Sequence, residues 1–351
     1  MREFGSTFEI EYLPDKYFED MASAMPYSAF TRSGREAIGL ILHGMPPGIA
    51  LLPAYCCWSM SLPFEVAGWD VQYYPINKDL SVNLLELEAL LNKIQPQLVM
   101  VVDYFGFAPT YKAVELIKAF DKDVVVLEDF TQNLFNFNEK RNPKVDCYVA
   151  SIRKSIGVPD GGVVLSNLPL YTDVLSNSKN LFVEDHIEAG VLKKMYAYSY
   201  DQSLKNTFRQ LQSEAGSEIK RDYNLYRISN ESSAILALSN IRSIRYAREE
   251  NYKHLYDLVG KNPHFEVLFK PQEGQTPFMF VVKSAQRDTL QHELAKLGVY
   301  CQVIWPISER GRRVCPVAKD MEDTMLAIPI DQRYDFYDVE EIGNRINSIE
   351  L

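Results

Sequence analysis

Val149-Ala-Ser-Ile-Arg-Lys-Ser-Ile-Gly-Val-Pro-Asp-Gly-Gly-Val-Val-Leu165 joins two apolar runs through a short turn that carries Lys154 and a glycine pair. An apolar stretch before the turn and a β-branched stretch after it read as two buried strands. Lys154 between them is set to lose part of its solvation, and a lysine so placed is a nucleophile able to condense with an aldehyde cofactor. Upstream, Val124-Val-Val-Leu-Glu-Asp129 is a third buried-strand pattern, and it ends in a carboxylate. A nucleophilic lysine and a strand-end aspartate are the pair that a pyridoxal phosphate (PLP) site needs, because the carboxylate keeps the pyridine nitrogen protonated. Lys154 and Asp129 are therefore the candidate catalytic residues. The plainer alternatives are a solvated loop lysine and an aspartate that caps the next helix.

Outward from this stretch, strands alternate with helices. Ile49–Leu52, Val71–Pro75, Leu98–Asp103, Val124–Leu127 and Cys147–Ala150 are short apolar runs. Between them, Ser33–Leu42, Leu84–Ile94 and Tyr111–Phe120 have helical spacing. Leu85, Leu87, Leu90 and Leu91 are available for one broad apolar face, and Ser33 with Glu36 reads as a capping box. Continuous β-branched strands separated by helices indicate a mainly parallel α/β sheet covered on both faces, with ligands at the carboxyl ends of the strands. Asp103, Asp129 and Ser151 fall at such ends. Residues 180–237 are polar and helical, and one long helix is expected over Ser232–His254. Shorter elements follow: Phe278–Val282, Arg287–Leu297, Cys301–Ile304 and Val339–Ile349. The expected organisation is a large α/β domain over 1–240 and a smaller C-terminal α+β domain over 241–351.

The chain has 351 residues, 46% hydrophobic and 24% charged, within the globular range and long enough for a sizeable core. A net charge of −10 argues against nucleic acid as the main partner and means that an anionic ligand needs a local basic pocket. The five cysteines form no small disulfide framework, and Cys56 and Cys57 are adjacent, so a reducing cytosol is the expected compartment. Met1–Ile10 contains no apolar signal core, and no run is long enough to span a bilayer, so no membrane association is expected. The histidines are scattered without metal-ligand spacing, so no metal is expected. There is no Walker loop and no G-x-G-x-x-G fingerprint.

Three further places suit a PLP ligand. Ser33-Gly34-Arg35 opens a helix, where free N–H groups and the positive dipole end attract a phosphate and glycine allows close approach. In Pro53-Ala-Tyr-Cys-Cys-Trp58, Tyr55 or Trp58 is placed to stack on a ring. Gln132, three residues after Asp129, is placed to donate to the cofactor's phenolic oxygen, while Glu128 points to the other face by strand alternation.

Taken in order, these pieces resemble the DegT/DnrJ/StrS sugar aminotransferases, PLP enzymes of the aspartate-aminotransferase fold type (fold type I). Ser33-Gly-Arg-Glu-Ala-Ile resembles the S-G-T-x-A-L helix, and Leu51-Leu-Pro-Ala-Tyr-Cys-Cys-Trp resembles V-x-P-x-Y-T-F. Val101-Val-Asp-Tyr-Phe-Gly106 is similar to the strand ending H-L-Y-G, with Asp103 in place of histidine. Leu127-Glu-Asp-Phe-Thr-Gln132 resembles I-E-D-A-A-Q, and Leu326-Ala-Ile-Pro-Ile resembles L-S-L-P. Lys154 keeps the family distance, eight residues, to the second glycine of the pair. Asn224-Leu-Tyr-Arg-Ile-Ser resembles N-Y-R-M-S, with one extra residue before the arginine. The family's S-F-H-P-T-K is two residues shorter here, Ser151-Ile-Arg-Lys154, and its G-E-G-G is Pro159-Asp160-Gly161-Gly162.

The resemblance implies that Ser151 and Asn224 contact the cofactor phosphate, Asn224 from the neighbouring subunit of a homodimer with shared active sites. The tyrosine-rich tract Tyr196–Tyr226 fits such an interface. The resemblance also implies transfer of an amino group from glutamate or glutamine to a keto sugar, linked to a nucleotide. A dehydratase-like PLP reaction, or a PLP-binding protein without turnover, is the alternative. Arg310, Arg312 and Arg313, read as a loop, are candidate anion contacts for the acceptor, against the plainer reading of a solvated basic surface.

Overall fold

The computed structural model describes residues 13–177 and 180–351. The N-terminal stretch read above for a signal core lies outside them. Helix α1 (Tyr17–Ala22) precedes β1 (Tyr27–Thr31), and α2 (Gly34–His43) leads into β2 (Ile49–Pro53). Helix α3 (Trp58–Val66) leads to β3 (Asp70–Tyr74), α4 (Leu84–Ile94) to β4 (Leu98–Val102), and α5 (Tyr111–Phe120) to β5 (Val125–Asp129). A short α6 (Phe137–Lys140) precedes β6 (Cys147–Ala150), and β7 (Gly162–Ser166) completes the first sheet.

These seven strands lie in the order β1-β7-β6-β5-β4-β2-β3. The pairs β2/β3, β2/β4, β4/β5 and β5/β6 are parallel, and β6/β7 and β1/β7 are antiparallel. The expected mainly parallel α/β sheet is thus the observed one. Every residue of β4, β6 and β7 is buried, as continuous apolar runs require when both faces are covered.

A helical segment follows: α7 (Asn180–Ser199), α8 (Gln202–Arg221), α9 (Asn230–Ala237) and α10 (Ile241–Val259). The single helix expected over Ser232–His254 is two helices. Asn240 interrupts it, because its side-chain oxygen accepts the N–H of Ser243 at 2.9 Å and starts a new helix there. Beyond it, β8 (Glu266–Val267), β9 (Phe280–Lys283) and β10 (Met325–Ile328) form a second, antiparallel sheet in the order β10-β9-β8. Helices α11 (Arg287–Lys296), α12 (Glu309–Val314), α13 (Pro316–Thr324) and α14 (Phe336–Asn347) accompany it.

Cys301–Ile304, expected as a strand, contributes one rung only, Gln302 against Ala327. The Ile304 carbonyl turns instead to accept a hydrogen bond from the Tyr55 hydroxyl. One continuous cluster of buried side chains runs from the first sheet through α10 to the second.

The α4 face is narrower than the spacing predicts. Leu87 and Leu91 are fully buried, whereas Leu85 is 81% exposed. Positions 87 and 91 are four apart and share a face; 85 lies off that stripe. Leu87→Ala should therefore cost about 2–5 kcal/mol in denaturant unfolding, and Leu85→Ala less than about 0.5 kcal/mol. Equal losses would mean that α4 packs through a broader face.

Candidate active site

Lys154 ends a single 3-10 turn, Ile152–Lys154, between β6 and β7. The turn is held by backbone bonds: Ile152 N–H donates to the Gly161 carbonyl at 3.0 Å, and Gly161 N–H donates to the Arg32 carbonyl at 2.7 Å. Arg32 lies immediately before the start of α2, so one ladder of bonds ties the lysine turn to that helix.

The second glycine of the pair makes the junction possible. A Cβ on Gly162 would lie 2.3 Å from the Ser33 carbonyl carbon and 2.6 Å from the Gly34 nitrogen. A Cβ on Gly34 would meet Ser151 at 3.1 Å. The α2 N-terminus, β7 and Ser151 meet at one point because these positions carry no side chain.

Around that point lies a cavity of about 430 Å³ lined by Ser33, Gly34, Arg35, Trp58, Asp129 and Lys154, with Ser151 and Thr131 in its wall. Lys154 is exposed to this space rather than enclosed by apolar side chains as the local sequence suggested. Asp129 is the last residue of β5 and is buried. Its carboxyl is pushed above the usual range by burial, a push opposed by hydrogen bonds from Thr131 and by the charge of Lys154. The Thr131 N–H reaches Asp129 Oδ1 at 2.8 Å, and Thr131 Oγ1 accepts the Ser151 N–H at 2.9 Å. Thr131 thus fixes both the aspartate and the serine. Nothing in its residue type announced it; its place two residues after a strand-end aspartate was the available signal.

The expected aromatics separate. Trp58, first residue of α3, is 45% exposed at the cavity, with the Arg35 guanidinium 5.8 Å from its ring centre. Tyr55 is fully buried, packed on Tyr104 and Trp305 with centroids 5.7 and 5.5 Å apart. Its hydroxyl is spent on a backbone carbonyl, so Tyr55 supports the wall and does not face the cavity.

Gln132 Oε1 accepts the N–H of Phe105 at 2.8 Å, which orients the amide so that its Nε2 is the outward donor. Phe105 has a left-handed backbone, φ 57°, a conformation that costs about 1–3 kcal/mol for such a residue and persists only when its surroundings hold it. Gln132 belongs to a larger adjoining cavity of about 790 Å³, which shares Lys154 and Arg153 with the first and extends to Tyr300, Gln302, Trp305 and Arg333 of the C-terminal part.

Other expected positions lie apart. Asn224 donates its Nδ2 to Asp222 Oδ1 at 2.8 Å and borders a separate groove beside His43 and Leu62. The helix-start serine does cap α2, accepting the Glu36 N–H at 3.4 Å, but Glu36 does not close a capping box. Its carboxylate pairs with the buried Arg32, Nε to Oε1 2.7 Å. The basic segment expected as a loop is helix α12. There Arg312 is held by both oxygens of Glu322, at 2.7 and 2.6 Å, and Arg310 donates to the Val71 carbonyl. None of Arg310, Arg312 or Arg313 lines either cavity that Lys154 borders. A residue without a sequence signal ties the C-terminal part to the lysine turn instead. Buried Arg248 of α10 donates to the carbonyls of Phe278 at 2.9 Å and Ser155 at 3.2 Å.

Beneath the cavity, Asp103, Glu128 and Asp129 cluster at the ends of β4 and β5. Glu128 faces away from the cavity, as alternation requires, and accepts from Thr110 Oγ1 at 2.8 Å. Burial, followed by the negative charge of Asp103, pushes Glu128 up to about 8. Burial pushes Asp103 up to about 6, against the charge of Lys140 and hydrogen bonds from Ala108 and Asn133.

No family model matches the chain, and no curated protein sequence matches it. Solved structures do. A DegT DnrJ EryC1 StrS aminotransferase from Brucella abortus has a TM-score of 0.64 at 15% identity, over 96% of this chain and 91% of that one. DesV of S. venezuelae, in complex with a ketimine intermediate, has a TM-score of 0.67 at 15% identity, over 96% and 89%. The putative sugar aminotransferase Spr1654 of Streptococcus pneumoniae, in its PMP form, has a TM-score of 0.67 at 14% identity, over 96% and 92%.

Two outcomes follow from this geometry. Gly162→Ala should drive the α2 N-terminus off β7, lowering stability by roughly 1–3 kcal/mol or more; a variant as stable as the parent would show that the junction is loose. For Glu128 the folded-state value lies above its ordinary 4.5, so the native state favours the protonated acid and stability is lost as pH rises from about 4.5 toward 8. Glu128→Gln keeps the Thr110 acceptor without the charge. In urea unfolding it should gain at least about 1 kcal/mol over the parent at pH 9 relative to pH 5, and an equal difference at both pH values would contradict this. With TM-scores of 0.64 to 0.67 over 96% of its length, the chain has the fold of the DegT/DnrJ/EryC1/StrS sugar aminotransferases.

Proposed function

We propose that the protein is a PLP-dependent aminotransferase that moves an amino group from glutamate or glutamine to a keto sugar linked to a nucleotide. The observation that carries this reading is the cavity bordered at once by Lys154, Asp129, Trp58 and the α2 N-terminus. The donor set suits PLP: a primary amine, a buried carboxylate, an exposed indole, and a helix start whose glycine lets it lie against Ser151. When bound, PLP supplies an electron sink for the carbanion formed at the donor carbon.

The chain's own residues do the rest. Asp129 holds a proton at the pyridine nitrogen, and that cation in turn relieves the cost of burying its carboxylate. Gln132 donates through Nε2 to the phenolic oxygen. Trp58 covers one ring face. Ser33, Gly34, Arg35 and Ser151 receive the phosphate. Lys154 Nζ, as the amine of the site, would carry the proton to and from the donor carbon. The keto acceptor enters through the larger adjoining cavity, whose polar walls include Gln302 and Tyr300.

We place the enzyme in the cytosol as a homodimer with shared active sites. In support, all five cysteines are free, and among the described residues no helix is long and apolar enough to cross a membrane. Val191, Met195, Tyr198 and Tyr200 leave an exposed apolar and aromatic surface on and beside α7, of the composition that interfaces use.

Half-reactions test the chemistry. With PLP bound, glutamate or glutamine should convert the cofactor's absorbance to that of its amine form, and keto sugars should reverse it. Lys154→Ala should abolish conversion, and Asp129→Asn should slow it at least about a hundredfold. Absence of conversion with every common amino acid would turn the assignment to a non-transfer PLP reaction or to PLP binding without turnover.

A further inference from the structure

The carbonyl of Ser155, the residue after Lys154, is a meeting point of two donors from the C-terminal part. The Arg248 guanidinium reaches it through Nη2 at 3.2 Å, and the Gln332 amide reaches it through Nε2 at 2.9 Å. The two donors also hold each other, Arg248 Nε to Gln332 Oε1 at 2.8 Å. Arg248 Nη1 donates further to the carbonyls of Phe278 at 2.9 Å and Pro277 at 3.3 Å. On the same face of α10, three residues on, Asn251 donates to the carbonyls of Ile330, Asp331 and Tyr334 at 3.3, 3.2 and 3.0 Å. Helix α10 thus fixes the loop that carries Gln332, and helix and loop together close on the lysine turn.

Arg248 is 2% exposed. Among the described residues its hydrogen-bond partners are carbonyls and an amide, with no carboxylate. Asp331, whose negative charge it feels, is spent on Arg333, Nε to Oδ1 2.6 Å and Nη2 to Oδ2 2.7 Å. Burial pushes the Arg248 guanidinium down to about 10. A buried charge held only by neutral groups costs free energy that an apolar side chain of similar length would not. What the apolar side chain lacks is reach in several directions at once. The planar fork carries its N–H groups at fixed angles, and here it bridges residue 155, residues 277–278 and residue 332. The lysine turn therefore has two anchors. Gly161 and Arg32 hold it from the α2 side, and Arg248 with Gln332 holds it from the other. Ser155 is buried, and its N–H closes the turn on the Ile152 carbonyl at 2.9 Å, so a shift at residue 155 passes directly to Lys154. Arg248, Phe278 and Asp331 also border the larger cavity that Lys154 shares.

We infer that Arg248 and Gln332 are positioning residues: from the C-terminal part they hold the Ser155 carbonyl, and through it the direction in which Lys154 presents its amine to the cavity. That the amine there meets PLP rests on the function proposed above.

The test has two readouts, with folding checked by circular dichroism. Hydrogen exchange of the cofactor-free protein reads the turn, and the donor half-reaction of the PLP-loaded protein reads the amine. Arg248→Ala should speed exchange in the peptide spanning 152–156 at least about tenfold and leave α4 and α5 as in the parent. It should lower the limiting rate of the half-reaction by on the order of a hundredfold, the loss that a misplacement of about 1 Å brings, with the donor's Michaelis constant within about twofold. Arg248→Lys should stay close to Arg248→Ala, because one ammonium cannot span the three segments. Guanidinium ion at millimolar concentration should restore part of the rate to Arg248→Ala, whose vacated site opens on the cavity. Gln332→Ala should move both readouts in the same direction by less, and it decides the matter if Arg248→Ala does not fold. Parent-like exchange at 152–156 in Gln332→Ala, or in a folded Arg248→Ala, overturns the inference. So does exchange that rises evenly along the chain, which would make Arg248 a general support of the fold. A change confined to the donor's Michaelis constant also overturns it, by making Arg248 a substrate contact. If the parent captures no PLP at Lys154, the proposed function fails, and exchange at the turn alone decides the inference.

Discussion

The site is built on one close approach. With no side chain at Gly162, the backbone of β7 lies against Ser33 and Gly34 at distances that a Cβ could not tolerate. This contact brings a helix start, a strand end and the lysine turn to the same place. The bonds from Gly161 to Arg32 and from Ile152 to Gly161 then transmit the position of α2 to Lys154. On the other wall Thr131 does the same for Asp129 and Ser151. A small shift at the glycine would therefore move the amine relative to the carboxylate, and catalytic groups lose their effect on that scale.

Charge is arranged around this junction against the sign of the whole molecule. The chain carries −10, and burial of Asp103, Glu128 and Asp129 at the ends of β4 and β5 pushes each carboxyl upward. The cavity above them is lined by Arg35, Arg153 and Lys154. A buried carboxyl is eased by a cation opposite it. The Arg32–Glu36 pair is itself buried, Nε to Oε1 2.7 Å, with burial pushing Glu36 up to about 7.

Much of this was legible in the sequence, because much of it is local. Runs of β-branched residues gave the parallel strands, and helical spacing gave α4 and α5 within their observed bounds. Lys154, Asp129, Ser33 and Gly34 stood out because their chemistry depends on strand ends and helix starts, which sequence marks well. What was missed depends on partners distant in the chain. Tyr55 and Trp58 are equivalent as sequence, but only Tyr55 has a carbonyl, that of Ile304, waiting in the core. Arg312 looked available until α12 and α13 brought Glu322 to it. The commitment of Asp160 to Ser229 and Ser232 spans about seventy residues, a non-local pairing of the kind that local periodicity does not encode. Asn240, splitting the expected Ser232–His254 helix, is a local signal that was misread, a cap taken for helix interior.

The central claim is that Lys154 and Asp129 face one PLP molecule. The most direct measurement is borohydride reduction of the protein incubated with PLP, followed by proteolysis and mass mapping of the modified lysine. The expected result is a single phosphopyridoxyl group on the peptide that contains Lys154. Label spread over surface lysines, or carried by a peptide from elsewhere in the chain, would contradict the account.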